Sequence, residues 1–469
     1  MVTRRDAMTA GVMGAAIIGG SASPMAAEPP SATNLLAASR KAAELVRGGP
    51  LMNLERAYRV MAEEGLDGLV MAHPTNVFHL TGYYDHVTIR HDAPASYVLL
   101  SRDPKRPPAV VMSQFLYYYS FADNRLESPL EAFLFTGWDA RIADAKASTF
   151  ETEPKASAPF VFADMGVMPP PGYEQNRLDR LNAALVQRPA SASAEWALLK
   201  AARALGLDRG RIGYDHAIVA GGYRATGMAA ETVYADNAIR KIRMIKSSRE
   251  TQIMRLTSQI NADAALAAVR QARAGATRSE LRATFFAEAA RRGNAGLFMQ
   301  IDTVVSDLTD GTFRDGDVFA VDCVSLGQHY FGDYGRTICI GEPNRSMKRA
   351  TDAISFAWDA VREKLKPGVK YSDIQRIGRE ALKKQGYNFD VAFTPHSVGL
   401  AHSDEPGRGT SSDYWVKDDI VLQENMVISV DLPVRQSGIG GSAHLEDLTL
   451  ITKDGAEQIN AIGDRTVMV

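Results

Sequence analysis

Five side chains in the second half of the chain have the types and contexts for metal chemistry: Asp322, Asp333, His396, Asp431 and Glu446. Asp322 ends the apolar run Val318-Phe-Ala-Val-Asp322, and Asp333 opens the next such run, with Gly327 and Gly332 in the connection. Two strands joined by a short loop can pair antiparallel and bring both carboxylates to one place. His396 follows in Thr394-Pro-His396, Asp431 closes an apolar strand pattern, and Glu446 lies at the start of another. Four carboxylates and one imidazole make a hard ligand set that suits Mn, Co, Fe or Zn, and two ions can share bridging carboxylates. Without cations, four converging anions would repel strongly, so either metal binds or some of them do not converge. Each residue also has a plainer reading. An Asp after an apolar run serves as a turn residue or helix cap, and a lone His as a hydrogen-bonded core residue.

The elements that must position these residues fall into two parts. In the first, helical spacing over 53–65 precedes strand patterns at Leu66–Ala72, Tyr97–Leu100, Ala109–Met112, Phe160–Ala163 and Arg211–Tyr214, with helical runs at Tyr173–Gln187 and Ala194–Leu205. Strands alternating with helices predict an α/β domain. A long helical stretch over about 238–273 follows, and Ser247, Ser248 and Glu250 inside it read as a cap and first turn. Beyond it come a helix at Arg278–Arg292, strands between Met299 and Ile340, helices at Ser346–Leu365 and Tyr371–Gln385, and late strands at Val427–Leu432 and Ala443–Ile451. Helices grouped between sets of strands predict an α+β domain.

Composition narrows the class. The 469 residues are 45% hydrophobic and 23% charged, enough for a sizeable core. Lys+Arg 53 against Asp+Glu 55 leaves −2, which gives nucleic acid no basic surface. The 2 Cys exclude a disulfide scaffold and a cysteine zinc cluster. Alternation along their strands sends Cys323 and Cys339 to opposite faces, so both are expected as free thiols. At the N-terminus, Arg4-Arg5 precedes the uncharged run Ala7–Gly20 and then small residues. This order resembles a twin-arginine export signal over residues 1–27 and implies a periplasmic protein. Residues 28–49 read as a linker, and no other run is apolar enough for a stable membrane anchor.

The second half resembles the pita-bread superfamily of creatinase, methionine aminopeptidase, Xaa-Pro aminopeptidase and prolidase. The matching text is Gly316-Asp-Val-Phe-Ala-Val-Asp322, Asp333-Tyr-Gly-Arg-Thr337, His396-Ser-Val-Gly-Leu400, the run from Met426 to Pro433, and His444-Leu-Glu-Asp447. Gly65-Leu-Asp-Gly-Leu-Val70, Asn76-Val-Phe-His-Leu-Thr-Gly82 and Arg240-Lys-Ile-Arg-Met-Ile-Lys-Ser-Ser-Arg-Glu250 extend the likeness into the first half. The resemblance implies an α+β pita-bread catalytic domain over 240–469, preceded by an α/β creatinase-type domain over 50–239, and a homodimer. It further implies two divalent ions. Asp322 would hold one, His396 and Asp431 the other, and Asp333 and Glu446 would bridge both. A water activated between them would attack the substrate, with His402 as acid or hydrogen-bond donor.

Four departures surround this site. Asp431 stands where the family usually has Glu. His402 follows His396 by six residues, where the peptidases usually have seven. His444, also a candidate catalytic group, takes the place of the usual Arg. No His precedes Asp322 between 302 and 317, and His329, in the loop between the two aspartates, is the candidate substrate-binding substitute. The leading expectation is an exported dinuclear hydrolase of a short peptide or small amide. The alternatives are a relative acting on a C–N or C–S bond of a small molecule, and a catalytically silent binding protein.

Overall fold

The computed structural model describes residues 35–85, 87, 94–124, 126–127, 129–136, 150–154, 167–302, 308, 310–407, 419–434 and 438–469. The export signal expected over 1–27 and the strand expected at Phe160–Ala163 lie outside these residues.

Short apolar runs in the first half build β1 (Gly68–Met71), β2 (Ser96–Ser101), β3 (Ala109–Ser113), β4 (Glu131–Phe135), β5 (Arg211–Tyr214) and β6 (Glu231–Tyr234). They form one mixed sheet in the order β4-β3-β2-β1-β5-β6. Leu69, Met71, Val98, Leu100, Val110 and Met112 join one core with Ala57 and Val60 of helix Leu54–Glu63. Val70, Tyr97, Leu99, Ala109 and Val111 join another with helix Ala194–Leu205. A sheet covered on both faces needs apolar residues at successive positions, and these strands have them.

The long helical stretch is two helices, Asp236–Met244 and Ser248–Val269. They part at Ser247, whose Oγ accepts from the Glu250 N–H at 3.2 Å while the Glu250 carboxylate accepts from the Ser247 N–H at 2.8 Å. This reciprocal capping box is what the sequence predicted. Ala238, Ile239 and Ile242 share the core of Leu69 and Ala57, whereas Met244 and Ile245 pack in a core of the second half with Ile354, Trp358 and Ile374. The core that the chain serves therefore changes at the end of this helix.

The linker reading of 28–49 needs correction, because Ala37–Arg47 is a helix. Ala42 and Val46 share one helical face and bury against Ile253 and Met254. Arg249 also donates to the carbonyl of Leu45 at 3.1 Å. The apolar stripe is narrow and flanked by charge, so it reads weakly in the sequence.

The second half contains β7 (Ala295–Ile301), β8 (Val318–Gly327), β9 (Tyr330–Phe331), β10 (Tyr334–Cys339), β11 (Thr394–Ser397), β12 (Val427–Asp431), β13 (Glu446–Asp447), β14 (Thr449–Ile451), β15 (Ala456–Gln458) and β16 (Thr466–Met468). One sheet runs β13-β10-β8-β7, with β16 added to β10 and β9 to β8, and the other runs β11-β12-β14-β15. Helices Ser248–Val269 and Arg278–Arg291 supply Ala265, Leu281 and Phe285 to the first sheet's core. Helices Arg345–Arg362 and Tyr371–Lys384 supply Ile354, Trp358 and Ile374 to the second's. The single strand expected over Ala443–Ile451 is two short ones, because the chain crosses from one sheet to the other at Leu448. Cys323 and Cys339 are free and buried, in different cores on opposite faces. No helix among the described residues is long and apolar enough to cross a membrane.

Candidate metal centre

Strand register assembles the acidic residues. Asp322 on β8 stands opposite Gly335 on β10, and Gly335 stands opposite Glu446 on β13. Asp333 lies two residues before Gly335 and so shares its face. In the facing sheet His396 on β11 pairs with Ser429 on β12, and Thr394 with Asp431. His396 and Asp431 therefore project to one side. The crossing at Leu448 keeps Glu446 beside both sheets.

The side chains then converge. His396 Nε2 lies 3.5 Å from Asp333 Oδ2, 3.6 Å from Asp431 Oδ2 and 3.5 Å from Glu446 Oε1. His402 Nε2 lies 3.2 Å from Asp333 Oδ2. His444 Nε2 lies 3.3 Å from Asp431 Oδ1 and 3.4 Å from Glu446 Oε2. Three groups have ligand atoms within 4.8 Å of one another: Asp333 with His396 and His402, His396 with Asp431 and Glu446, and Asp322 with Asp333 and Glu446. Asp431 reaches the cluster despite its shorter side chain.

The fit to metal can be tested on the buried atoms. Asp322 Oδ1, both Asp333 oxygens, Glu446 Oε2 and the Nε2 atoms of His396, His402 and His444 are buried with no hydrogen-bond partner among the described residues. Buried polar atoms are ordinarily paired, and this concentration of exceptions is what a ligand set for cations requires. Two divalent ions would also neutralise the four carboxylates. The imidazole of His396 is oriented so that it could hold a metal: its Nδ1 lies 3.0 Å from the carbonyl oxygen of His402, and an Nδ1–H donated there leaves the Nε2 lone pair facing the cluster. Ser429 Oγ donates to Glu446 Oε1 at 2.6 Å and orients that carboxylate.

Electrostatics reports the same crowding. Burial and the charge of Glu446 raise the Asp322 carboxyl to about 7, against an opposing pull from His444. Burial, Glu446 and Asp322 raise Asp333 well above the usual range. Burial would lower His396 and His444, but the neighbouring carboxylates outweigh it and raise them to about 9 and about 10. The two imidazoles in turn overcome burial at Glu446 and hold it well below its usual value.

His329 stands elsewhere. Its ring stacks on Tyr84 at 3.7 Å and meets Phe78 edge-on at 4.7 Å, and burial lowers its pKa to about 4. Sequence reasoning passed over Gly335, Ser429 and Thr337. Thr337 Oγ1 accepts from the His444 N–H at 2.9 Å and donates to the His444 carbonyl at 3.0 Å. The bare Gly in Asp333-Tyr-Gly335, between two candidate ligands' strands, is the signal that could have pointed to the first of these.

A second buried polar group lies behind the centre, where the two halves meet. Asp215 accepts from the N–H groups of Ala72 and His73 and from Asn76 Nδ2, at 2.7, 3.1 and 2.8 Å. Asn76 Oδ1 accepts from Arg243 at 2.9 Å, and Arg243 Nε donates to Asp404 Oδ1 at 2.9 Å. Asp404 Oδ2 accepts from the Leu400 N–H at 3.2 Å, which fixes the loop between His396 and His402.

The architecture is that of a pita-bread domain preceded by an α/β domain. Over it, the prolidase from Pyrococcus furiosus superposes with a TM-score of 0.58 at 19% identity, covering 87% of this chain and 100% of that one. The Xaa-Pro dipeptidase from Bacillus anthracis gives 0.61 at 16% identity, covering 91% and 100%. Residues 252–453 match the profile of Metallopeptidase family M24, a span that contains every residue of the centre. The chain is also 30% identical over 238 residues to a Xaa-Pro dipeptidase of Pyrococcus horikoshii, an alignment covering 48% of this chain and 64% of that relative. It thus spans less than two thirds of the length of that relative.

Proposed function

We propose that this protein is a metal-dependent hydrolase of short Xaa-Pro peptides or similar small amides, working with two divalent ions of the Mn, Co, Fe or Zn kind. The observation that carries the reading is the convergence of four carboxylates and three imidazoles, in which Asp322, Asp333, Glu446 and all three imidazoles leave buried atoms without hydrogen-bond partners among the described residues. The substrate class follows the names of the similar proteins. Asp322, Asp333 and Glu446 would hold one ion, and Asp333, Glu446, His396 and Asp431 the other. When bound, the ions would polarise the scissile carbonyl and acidify a water.

The chain's own residues do the rest. The His402 carbonyl holds the tautomer of His396. His402, whose side chain is 35% exposed, can carry a proton at Nε2 beside the open side of the centre. The rings of Phe298 and Phe331, 5.7 and 6.1 Å from His402, line its approach with apolar surface. His329 and Tyr84 form a neutral aromatic wall where the halves meet.

The departures at Asp431 and His444 favour a second reading, a relative that cleaves a C–N or C–S bond of a small molecule. The proposal also includes export to the periplasm through residues 1–27, and a homodimer. Metal analysis after purification without chelator, followed by assay of Xaa-Pro dipeptides, longer Xaa-Pro peptides and non-peptide amides with defined metals, tests the function. About two ions per chain and turnover of Xaa-Pro bonds are expected. No activity with any metal removes the hydrolase, and turnover of non-peptide substrates alone selects the second reading. For export, replacing both Arg4 and Arg5 by Lys should keep the chain out of the periplasmic fraction.

A further inference from the structure

We infer that His444 is itself a metal ligand, joining Asp431, Glu446 and His396 on one ion, so that the two ions occupy chemically unlike sites. The inference rests on the dinuclear reading above and adds a nitrogen to it. Its first support is distance. His444 Nε2 lies 3.3 and 3.4 Å from one oxygen each of Asp431 and Glu446. A charge-assisted N–H···O bond settles at about 2.7–2.9 Å. By contrast, ligand atoms arranged tetrahedrally on bonds of about 2.0–2.1 Å stand about 3.3–3.4 Å apart. The nitrogen has the spacing of a co-ligand rather than of an ion-pair partner, and it meets Asp431 Oδ1 and Glu446 Oε2 where His396 meets the other oxygen of each, so that each carboxylate would offer both oxygens between two imidazoles.

The second support is burial. His444 is 1% exposed, and its Nε2 has no hydrogen-bond partner among the described residues. The third is the room made for it. The ring lies over Gly335, where a Cβ would come within 2.9 Å of both Cδ2 and Nε2 of His444 and 2.8 Å of the Glu446 Cβ. Any side chain at 335 would displace the imidazole. The fourth is fixation, since Thr337 bonds both the N–H and the carbonyl of His444. A neutral imidazole also adds a ligand without upsetting the balance of four carboxylates against two dications.

The consequence is asymmetry. The ion at His396 and His444 has at least two nitrogens and suits Zn, Fe or Co, whereas the ion at Asp322, Asp333 and Glu446 has oxygens only and suits Mn or Mg. Calorimetric titration of the full chain with Zn and with Co, compared with His444→Gln, tests this. The substitution should weaken one of the two ions by at least about tenfold, the scale already seen when only a supporting residue is lost, and leave the other unchanged.

A measurement that needs no change at His444 stands beside these. In a chain carrying His402→Gln, so that this ring cannot contribute, pulsed EPR of the Mn-loaded protein should detect two inequivalent imidazole nitrogens on one ion. A single imidazole coupling, or unchanged affinity of both ions in His444→Gln, overturns the inference and leaves the hydrolase reading standing. Failure of the unaltered chain to bind any divalent ion overturns the hydrolase reading itself.

Discussion

Two regions of this molecule bury clusters of charge, and they are built on opposite principles. At the joint between the halves, Asp215 and Asp404 accept hydrogen bonds on both oxygens, and Arg243 ties the second to Asn76. At the centre, Asp322, Asp333 and Glu446 leave oxygens without hydrogen bonds, and three imidazoles stand 3.2 to 3.6 Å from carboxylates. Both clusters contain fully buried carboxylates, Asp404 in one and Asp333 and Glu446 in the other, so burial alone does not mark function. The difference lies in satisfaction. The joint is complete within the protein, whereas the centre leaves atoms of ligand type without partners among the described residues.

The largest expected effect breaks the centre. Asp333→Ala or Glu446→Ala should abolish turnover and the binding of one or both ions, with circular dichroism unchanged, because relieving crowded anions does not unfold the sheets. Retained turnover in either variant contradicts the bridging roles. Next, Arg243→Met breaks the joint. It takes the nearest cation from buried Asp404, a change that costs up to about 3–5 kcal/mol, read as a fall in the urea midpoint. The loop between His396 and His402 should also loosen, raising the Kd for metal.

A pH series separates the regions by sign. Burial would raise Asp404, but Arg243 and Lys246 outweigh it and hold it below its usual 3.8. The stability it contributes is present above that pH and is lost on further acidification. In the chelator-stripped chain, His396 and His444 are raised from 6.5 to about 9 and about 10. Their contribution is whole below pH 6.5 and disappears as the pH rises through those values. Melting temperature should therefore fall on the alkaline side for the stripped protein, and metal should flatten that limb. A fall of equal size in the loaded protein counts against metal ligation by these imidazoles. The smallest effect is expected at the surface pair Arg255–Glu457, whose side chains are 39% and 46% exposed. Arg255→Ala should cost under about 1 kcal/mol, a control for both buried clusters.

Much of this was legible in the sequence for local reasons. Residue type and apolar context singled out Asp322, Asp333, His396, Asp431 and Glu446, which the structure brings together, and a cap three residues ahead of Glu250 divided the long helix where the structure divides it. What escaped depends on partners distant in the chain. Gly335 matters because β10 lies between β8 and β13, a register no local pattern encodes. His444 was read as a substitution for Arg, since nothing near it in sequence tells that its ring shares two carboxylates with His396. Strands β4 and β6 went unread because each lies at a sheet edge and buries only part of its length.

The helix Ala37–Arg47 has a practical consequence for anyone producing this protein. A shortened version that begins at residue 50, the natural cut if the preceding stretch were mere tether, would strip the cover from Ile253 and Met254. Such a product should clump or come out insoluble. One that starts ahead of Ala37 should stay in solution, so the expression vector has to spare this helix whatever else it trims.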